Sequence, residues 1–242
     1  MTTLAGKWSF VTGASRGVGA HLAAGLAQLG SNLVLHSRDL AHTQALAERL
    51  RATGVQVVTV AAELSDPTEI DPLLDRVQAV GDIDILYNNA GIQVPKQSAL
   101  WQTPVVDLRR SLEVNLISLI RICDRLAPPM VVRGWGRIIN LTSGIADKPE
   151  QTAYAVSKAG VDKYVRDFAP KLRGTGVQMN LLDPGWLRTD LGGPNAPGDP
   201  ASVLPGALVP ALLDDGTSGR YFRAQDFAGL ALDAALQKAN SR

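Results

Sequence analysis

The chain has 242 residues, and its 24 basic side chains nearly balance its 23 acidic ones. This length suits one α/β domain, and the balanced charge, without a basic block, argues against binding to nucleic acid. One cysteine and three scattered histidines exclude an intramolecular disulfide framework, and we expect no metal site. No apolar run approaches the ~20 residues that cross a membrane. Residues 1–7 lack the pattern of a signal peptide, so we expect a cytoplasmic protein.

The first predicted elements indicate a nucleotide site. An apolar strand at residues 8–11 runs into a glycine-rich turn, and a helix continues through residues 21–27. Glycines let the backbone turn tightly and approach a pyrophosphate, whose charge is attracted by the free N–H groups of a helix N-terminus. The spacing Gly-x-x-x-Gly-x-Gly differs from the dinucleotide fingerprint Gly-x-Gly-x-x-Gly, and a tight turn without a ligand is the alternative explanation. The turn reads Thr12-Gly13-Ala14-Ser15-Arg16-Gly17-Val18-Gly19.

The end of the second predicted strand, residues 32–35, favours NADP(H) over NAD(H). A NAD site usually has an acid at this strand end, which binds the ribose hydroxyls, but the first acid here is Asp39. Ser37 and Arg38 stand before it, and Arg16 of the glycine turn could reach the same spot. Two arginines and a serine suit a 2′-phosphate, which a carboxylate would repel. Two ordinary surface arginines are the alternative.

The rest of the chain alternates helical and strand patterns, which is typical of a parallel α/β sheet. We expect helices at 39–53, at about 103–133 with a kink or an end at Pro128-Pro129, and from about 203. We expect further strands at 55–61, 83–87, 136–141, 177–182 and, at the sheet edge, 220–222. Residues 191–205 are rich in Gly and Pro and have no period, which indicates a loop near the site. One domain, 1–242, with a substrate loop at about 190–205, is therefore predicted.

Polar residues occur where ligands bind at the carboxyl ends of parallel strands. Asn88-Asn89-Ala90-Gly91 follows one strand and Thr142-Ser143-Gly144 follows another. A simple turn explains the first of these segments equally well. Asn115 lies in an apolar stretch of the long helix, so it is either a satisfied core amide or a functional residue.

Tyr154 and Lys158 are four residues apart in a helical pattern, so they share one face of a helix. A phenol has an ordinary pKa of about 10, and a nearby ammonium is expected to lower it. Such a pair is common on amphipathic helices, so its meaning depends on the motifs around it.

These motifs resemble the short-chain dehydrogenase/reductase family over residues 7 to about 189. The resemblance implies an α/β fold with a single Rossmann-type, doubly wound domain. Its parallel sheet would have about seven strands in the order 3-2-1-4-5-6-7, with helices on both faces. The matching residues are Thr12-Gly13 with Gly17 and Gly19, Asn88-Asn89-Ala90-Gly91, Asn115, Ser143, Tyr154 with Lys158, and Pro184-Gly185 with Thr189.

The resemblance also implies the site residues. Tyr154 would protonate a carbonyl oxygen, and Lys158 would lower its pKa and hold the nicotinamide ribose. Ser143 would orient the carbonyl, and Asn115 would hold a water that links Lys158 to solvent. Glu63 stands where relatives carry an Asp beside the adenine. The cofactor groove would be lined by Thr12, Gly13, Ser15, Arg16, Gly17, Val18, Gly19, Ser37, Arg38, Glu63, Leu64, Asn89, Ala90, Gly91, Tyr154, Lys158, Pro184, Gly185, Leu187 and Thr189.

The function implied is an NADPH-dependent reduction of a ketone or a 3-oxoacyl group to an alcohol. The alternatives are an NAD-dependent alcohol dehydrogenase and a regulator that senses NADP without turnover. We expect a small-molecule carbonyl or alcohol substrate, a homodimer or homotetramer, and no nucleic-acid or membrane partner. Ile145, Trp186 and Leu191 are expected in an apolar substrate pocket, although loop packing would explain them equally well.

Overall fold

Seven parallel strands form the centre of the computed structural model, which describes residues 2–99 and 101–241. The sheet order is β3-β2-β1-β4-β5-β6-β7, which confirms the predicted order. Strands buried on both faces of a parallel sheet have near-continuous apolar runs, and the sequence located the first six strands through those runs and the seventh as a short edge strand. The strands are β1 Trp8–Val11, β2 Asn32–Ser37, β3 Val57–Ala61, β4 Ile83–Asn88, β5 Gly136–Leu141, β6 Val177–Asp183 and β7 Tyr221–Arg223.

Helices cover both faces of the sheet. On one face α1, α2, α7 and α8 pack against the strands, and on the other face α3, α5 and α6 do. The bounds are α1 Gly17–Gln28, α2 Ala41–Arg51, α3 Pro67–Val80, α4 Val105–Leu112, α5 Ser118–Arg133, α6 Thr152–Phe168, α7 Val209–Leu212 and α8 Leu232–Asn240. No helix in the described part of the chain is both long and apolar enough to cross a membrane.

The predicted long helix is interrupted in its middle. A π-helical turn, Glu113–Ile117, joins α4 to α5 and contains Asn115. Such turns often occur at functional sites. Of the two outcomes expected at Pro128-Pro129, the end is wrong, because α5 continues through them to Arg133 and stops at Gly134 in the left-handed conformation, and the kink stays a prediction. Leu126 and Met130, on either side of the prolines, are buried in the core, and this packing outweighs the missing N–H donors.

The segment from 190 to 208 is mostly irregular, as predicted, but no long helix begins near Val203. Two short 3-10 turns, Pro200–Val203 and Gly206–Leu208, precede the four-residue α7. Asp199 accepts a hydrogen bond from the Ala201 N–H and so caps the first of these turns. Pro205 lacks an N–H donor, which explains why the helical pattern cannot continue.

The amino end of the sheet is held by a fully buried arginine on β5. Arg137 donates to the carbonyl oxygens of Leu213 and Gly176 at 3.0 and 3.1 Å. Its guanidinium also pairs with Asp214 at 2.6 Å. These bonds join the strand to two connecting segments that lie far from it in sequence.

Replacing Arg137 with leucine should therefore lower the free energy of unfolding by about 3 kcal/mol, because buried carbonyls lose a charged donor. Urea unfolding at neutral pH measures this change. Arg125→Ala is the control, because Arg125 pairs with Asp75 on the surface and such pairs contribute about 0.5 kcal/mol. Equal losses in the two variants would contradict the role of Arg137.

Candidate active site

The glycine turn and the exit of β4 form one hydrogen-bonded unit. The Thr12 hydroxyl accepts the N–H groups of Asn89 and Ala90, both at 3.0 Å. In return, the Asn89 amide donates to the carbonyl oxygens of Thr12 and Gly13 at 2.8 and 3.0 Å. Gly13 has φ +64°, and a Cβ there would lie 2.9 Å from the Ala90 Cα. Thr12-Gly13 and the segment 88–91 therefore depend on each other for their hydrogen bonds and for their close packing.

The start of α1 has the features of a pyrophosphate site. Arg16 is its N-cap residue, and no side chain in the described ranges caps the helix. The first N–H groups are therefore available to an anion. Gly17 has φ +54° and packs against Thr189, while a Cβ on Gly19 would lie 2.2 Å from the Gly13 oxygen. The turn, with Ser15 and Val18 half-buried, fits a bound dinucleotide.

His36 is a residue of this site that the sequence analysis missed. The Gly13 N–H donates to His36 Nδ1 at 3.2 Å, so Nε2 carries the proton and donates to the Ala62 oxygen at 3.1 Å. Burial lowers the pKa of His36 to about 4, so the ring is neutral at neutral pH. His36 thus joins the glycine turn to the end of β3, a link between distant segments that no local pattern predicts.

Two residues predicted at the 2′-phosphate have other partners in the structure. The Ser37 hydroxyl is buried and donates to the Asp39 carbonyl at 2.5 Å, and its role at a 2′-phosphate stays a prediction. Arg16 pairs with Asp190 at 2.9 Å, beyond β6, instead of extending toward Arg38. Both members of that pair are more than 60% exposed, so water screens it. Arg38 is exposed and forms no ion pair with the described residues.

Glu63 and Leu64, which are predicted to lie beside the adenine, follow directly after β3. The Glu63 carboxylate accepts the Ser65 N–H at 3.0 Å, and Leu64 is buried. Asp66 accepts the Thr68 N–H and caps α3. The Glu63 carboxylate therefore stabilises the turn between β3 and α3 through this hydrogen bond.

Tyr154 and Lys158 lie on one face of α6, as predicted, and both are buried. Lys158 Nζ is 5.9 Å from the Tyr154 ring centroid and donates to the Leu141 oxygen at 2.8 Å. Burial lowers the pKa of Lys158 to about 8, and Asp162 opposes this shift.

The net shift of the Tyr154 pKa is upward, and the expectation that Lys158 lowers this pKa stays a prediction. Burial raises the pKa of Tyr154, and the charge of Asp183 raises it further, while a hydrogen bond with Ser143 lowers it. The phenol is consequently protonated at neutral pH, because desolvation penalises the phenolate.

Asn115 is a satisfied amide that connects the site. Its Oδ1 accepts the Ile92 N–H at 2.8 Å, and its Nδ2 donates to the Ile92 oxygen and to Ser157 Oγ, both at 2.9 Å. Ser157 in turn donates to the Tyr154 carbonyl. A Cβ on Gly91 would lie 3.4 Å from Asn115 Oδ1 and 3.6 Å from Lys158 Nζ. Asn115 thus clamps the β4 exit to α6, and its water-holding role stays a prediction.

The segment after β6 lies beside the glycine turn in space. Pro184 and Gly185 form a turn in which Gly185 has φ +86°. Leu187 is buried in the core, so its side chain packs inward. Trp186 and Leu191, predicted for the substrate pocket, are exposed, and the Trp186 indole donates to the Gly192 oxygen at 2.8 Å. Ile145 is half-buried, and the pocket assignment of all three stays a prediction.

Comparison with known proteins identifies the family to which this chain belongs. Residues 7–199 match the family model described as short chain dehydrogenase. The chain belongs to the short-chain dehydrogenase/reductase family.

Individual members of the family align over most of the chain. The 3-oxoacyl-[acyl-carrier-protein] reductase of Escherichia coli is 30% identical over 237 residues, which cover 97% of this chain and 91% of that protein. A solved 3-oxoacyl (acyl-carrier-protein) reductase from Agrobacterium tumefaciens with NADP bound is 32% identical, with a TM-score of 0.75 over 96% and 87% of the two chains. A short-chain type dehydrogenase/reductase from Mycobacterium marinum is 26% identical, with a TM-score of 0.82 over 91% and 94%.

As a short-chain dehydrogenase/reductase, the chain is an NAD(P)-dependent oxidoreductase. The uncapped start of α1 and the close approach of Gly13 to Ala90 fit that cofactor. Among residues 2–99 and 101–241, no group of three metal-ligating side chains comes together.

The buried His36 generates a prediction about pH. Unfolding returns its pKa from about 4 to the ordinary 6.5, so the unfolded chain gains a proton as the pH falls through this window. The stability present above pH 6.5 should fall by up to about 3 kcal/mol by pH 4. His36→Gln should show a correspondingly smaller loss between neutral pH and about pH 4, measured by urea unfolding. His42→Gln, on the exposed face of α2, is the control, and a loss as large as wild type in His36→Gln would contradict the assignment.

Proposed function

We propose that this chain is an NADPH-dependent reductase that converts a ketone or a 3-oxoacyl group to an alcohol. The observation that carries the proposal is a buried Tyr154 that forms a hydrogen bond with Ser143, at the carboxyl end of the sheet, where α1 also begins. The names of the Escherichia coli and Agrobacterium tumefaciens relatives support a 3-oxoacyl substrate. NADP in the second relative supports the cofactor.

The proton chemistry follows from the residues in hand. The bound nicotinamide would supply the hydride. Tyr154 would donate its proton to the carbonyl oxygen as negative charge develops there, and Ser143 would donate a second hydrogen bond to that oxygen. Tyr154 is protonated at neutral pH, which is the form that carbonyl reduction requires, and a charged Lys158 on the same helix face would stabilise the phenolate that proton donation leaves. Lys158, whose pKa is about 8, keeps most of its charge at neutral pH and would hold the ribose.

The preference for NADPH rests on Arg38. It is exposed at the end of β2 without an acidic partner among the described residues, so its guanidinium can pair with a 2′-phosphate. Arg16 would have to leave the exposed Asp190 to join it, at a small cost because such pairs are weak. Ser37 would donate no hydrogen bond to the phosphate, because its hydroxyl already donates to the Asp39 carbonyl.

Assembly into a homodimer or homotetramer is part of the proposal. The π-helical turn and α4–α6 expose several apolar side chains, which an interface would cover. These are Val105, Val106, Ile117, Val156 and Phe168. We also keep the single domain, 1–242, as a proposal.

Tyr154→Phe should lower the turnover of NADPH with ketones, β-ketoesters or 3-oxoacyl thioesters by at least about 100-fold. The variant should still bind NADPH, because the glycine turn is unchanged; titration of nucleotide fluorescence checks this. Tyr164→Phe is the matched control, because Tyr164 lies on the same helix and bonds only weakly to Asp124. Wild-type rates in Tyr154→Phe would overturn the assignment, and binding without turnover of any carbonyl would favour a sensor.

Arg38→Ala should weaken NADPH binding about 10- to 100-fold, the effect of losing a charged hydrogen bond. NADH binding should change little, since NADH has no 2′-phosphate. Arg49→Ala, an exposed arginine on α2, should leave both affinities intact. Equal losses for the two nucleotides in Arg38→Ala would show that Arg38 does not read the phosphate.

A further inference from the structure

Arg223 is an exposed cation at the carboxyl end of the sheet, on the face that α6 covers. It ends β7 and is the register partner of Asp183 on β6. Leu181, two residues before Asp183, belongs to the same core cluster as Val161 of α6, and alternate residues of a strand point to the same face of the sheet. Arg223 is therefore on the face of the sheet against which α6, the helix of Tyr154, is packed.

Gly144 lies between Arg223 and Ser143. Arg223 Nη2 is 3.6 Å from the position that a Cβ on Gly144 would take. Gly144 is exposed and follows Ser143 directly, so it places no side chain between the guanidinium and the Ser143 hydroxyl. Consecutive Cα atoms are about 3.8 Å apart, so Arg223 Nη2 and Ser143 Oγ lie within about 12 Å of each other. A small substrate whose carbonyl binds to Ser143 can therefore reach Arg223 with a second group.

The N–H donors of Arg223 are available to such a group. Arg223 forms no ion pair and no side-chain hydrogen bond with the other described residues. The acid beside it on β6, Asp183, is buried, and its two carboxylate oxygens already accept the Gly185 N–H at 2.9 Å and the Tyr221 hydroxyl at 3.1 Å. A guanidinium presents its donors in a planar fork that matches the oxygens of a carboxylate or a phosphate.

We propose that Arg223 binds an anionic group of the substrate, a carboxylate or a phosphate, which lies a few bonds from the carbonyl that is reduced at Tyr154 and Ser143. This inference rests on the proposed function and names its substrate class, which is oxo acids or oxo phosphates. Attachment at two points, the anion to Arg223 and the carbonyl to Ser143, would hold the carbonyl in a fixed position for reaction. A neutral ketone has no partner for Arg223, so its KM should not depend on this residue.

The experiment measures KM and kcat with NADPH for pairs of substrates that differ in charge. Oxo acids of increasing chain length are compared with their methyl esters, and hydroxyketone phosphates with the free hydroxyketones. Arg223→Gln should raise KM for the anionic member of a pair about 10- to 100-fold, the effect of losing a charged hydrogen bond. It should leave the neutral member unchanged, and the type of pair with the larger loss identifies the anion as carboxylate or phosphate. Equal KM values within every wild-type pair, or equal losses for both members in Arg223→Gln, would overturn the proposal.

Two further variants separate anion binding from a general effect of charge. Arg223→Lys keeps the positive charge without the planar fork, so it should retain part of the preference for the anionic substrate. Arg173→Gln removes another exposed arginine, which precedes β6 and therefore lies toward the amino end of the sheet. It should change neither KM, and a loss for the anionic substrates as large as that in Arg223→Gln would contradict a specific site.

A binding measurement without turnover separates this inference from the proposed reaction. The protein saturated with NADP⁺ has no hydride to transfer, so calorimetric titration of this complex with an oxo acid and with its methyl ester reports binding alone. Tighter binding of the acid that is lost in Arg223→Gln supports the anion site even in a protein that reduces no carbonyl, and then only the proposed reaction fails. Equal binding of acid and ester overturns the role of Arg223, whereas reduction of neutral ketones that depends on Tyr154 would leave the proposed reaction in place.

Discussion

The site depends on the hydrogen bonds between Thr12 and the residues after β4. One hydroxyl accepts two consecutive N–H groups, and the Asn89 amide returns two bonds to the glycine turn. Backbone polar groups at a strand exit have no ladder partners and are costly when buried unpaired. This exchange satisfies them without closing the start of α1, so the same contacts that stabilise the turn leave its N–H groups free for an anion.

A second set of bonds carries this fixed unit to the candidate catalytic helix. Asn115 binds both backbone groups of Ile92 and the hydroxyl of Ser157, and the π-helical turn places its amide within reach. Lys158 reaches back to the Leu141 carbonyl. The ends of β1, β4 and β5 and the helix α6 are therefore held together by side chains whose polar atoms are paired. Such pairing is expected at a catalytic site, where misplacement of a group by about 1 Å is costly.

The fold and the candidate site differ in how far the sequence predicts them. Apolar runs located the six inner strands, because burial on both faces requires such runs, and the order followed from the family resemblance. Local sequence patterns could not predict three contacts: the hydrogen bond from Ser37 to the Asp39 carbonyl, the ion pair of Arg16 with Asp190, and the hydrogen bond from the Gly13 N–H to His36. Each of these contacts depends on which residues the fold brings together. A single residue shows no hydrophobic periodicity from which its partner could be predicted.

The protonation of Tyr154 shows the same limit in energetic terms. From the sequence, a lysine four residues away implies an acidified phenol, since charge attraction acts over short distances. In the folded chain Lys158 bonds to a carbonyl instead, and burial with Asp183 outweighs the bond from Ser143. A buried carboxylate without a cation destabilises the fold unless donors surround it. Gly185 and Tyr221 supply those donors here, so the hydrogen bonds that hold Asp183 also tie the end of β6 to the Gly185 turn and to β7.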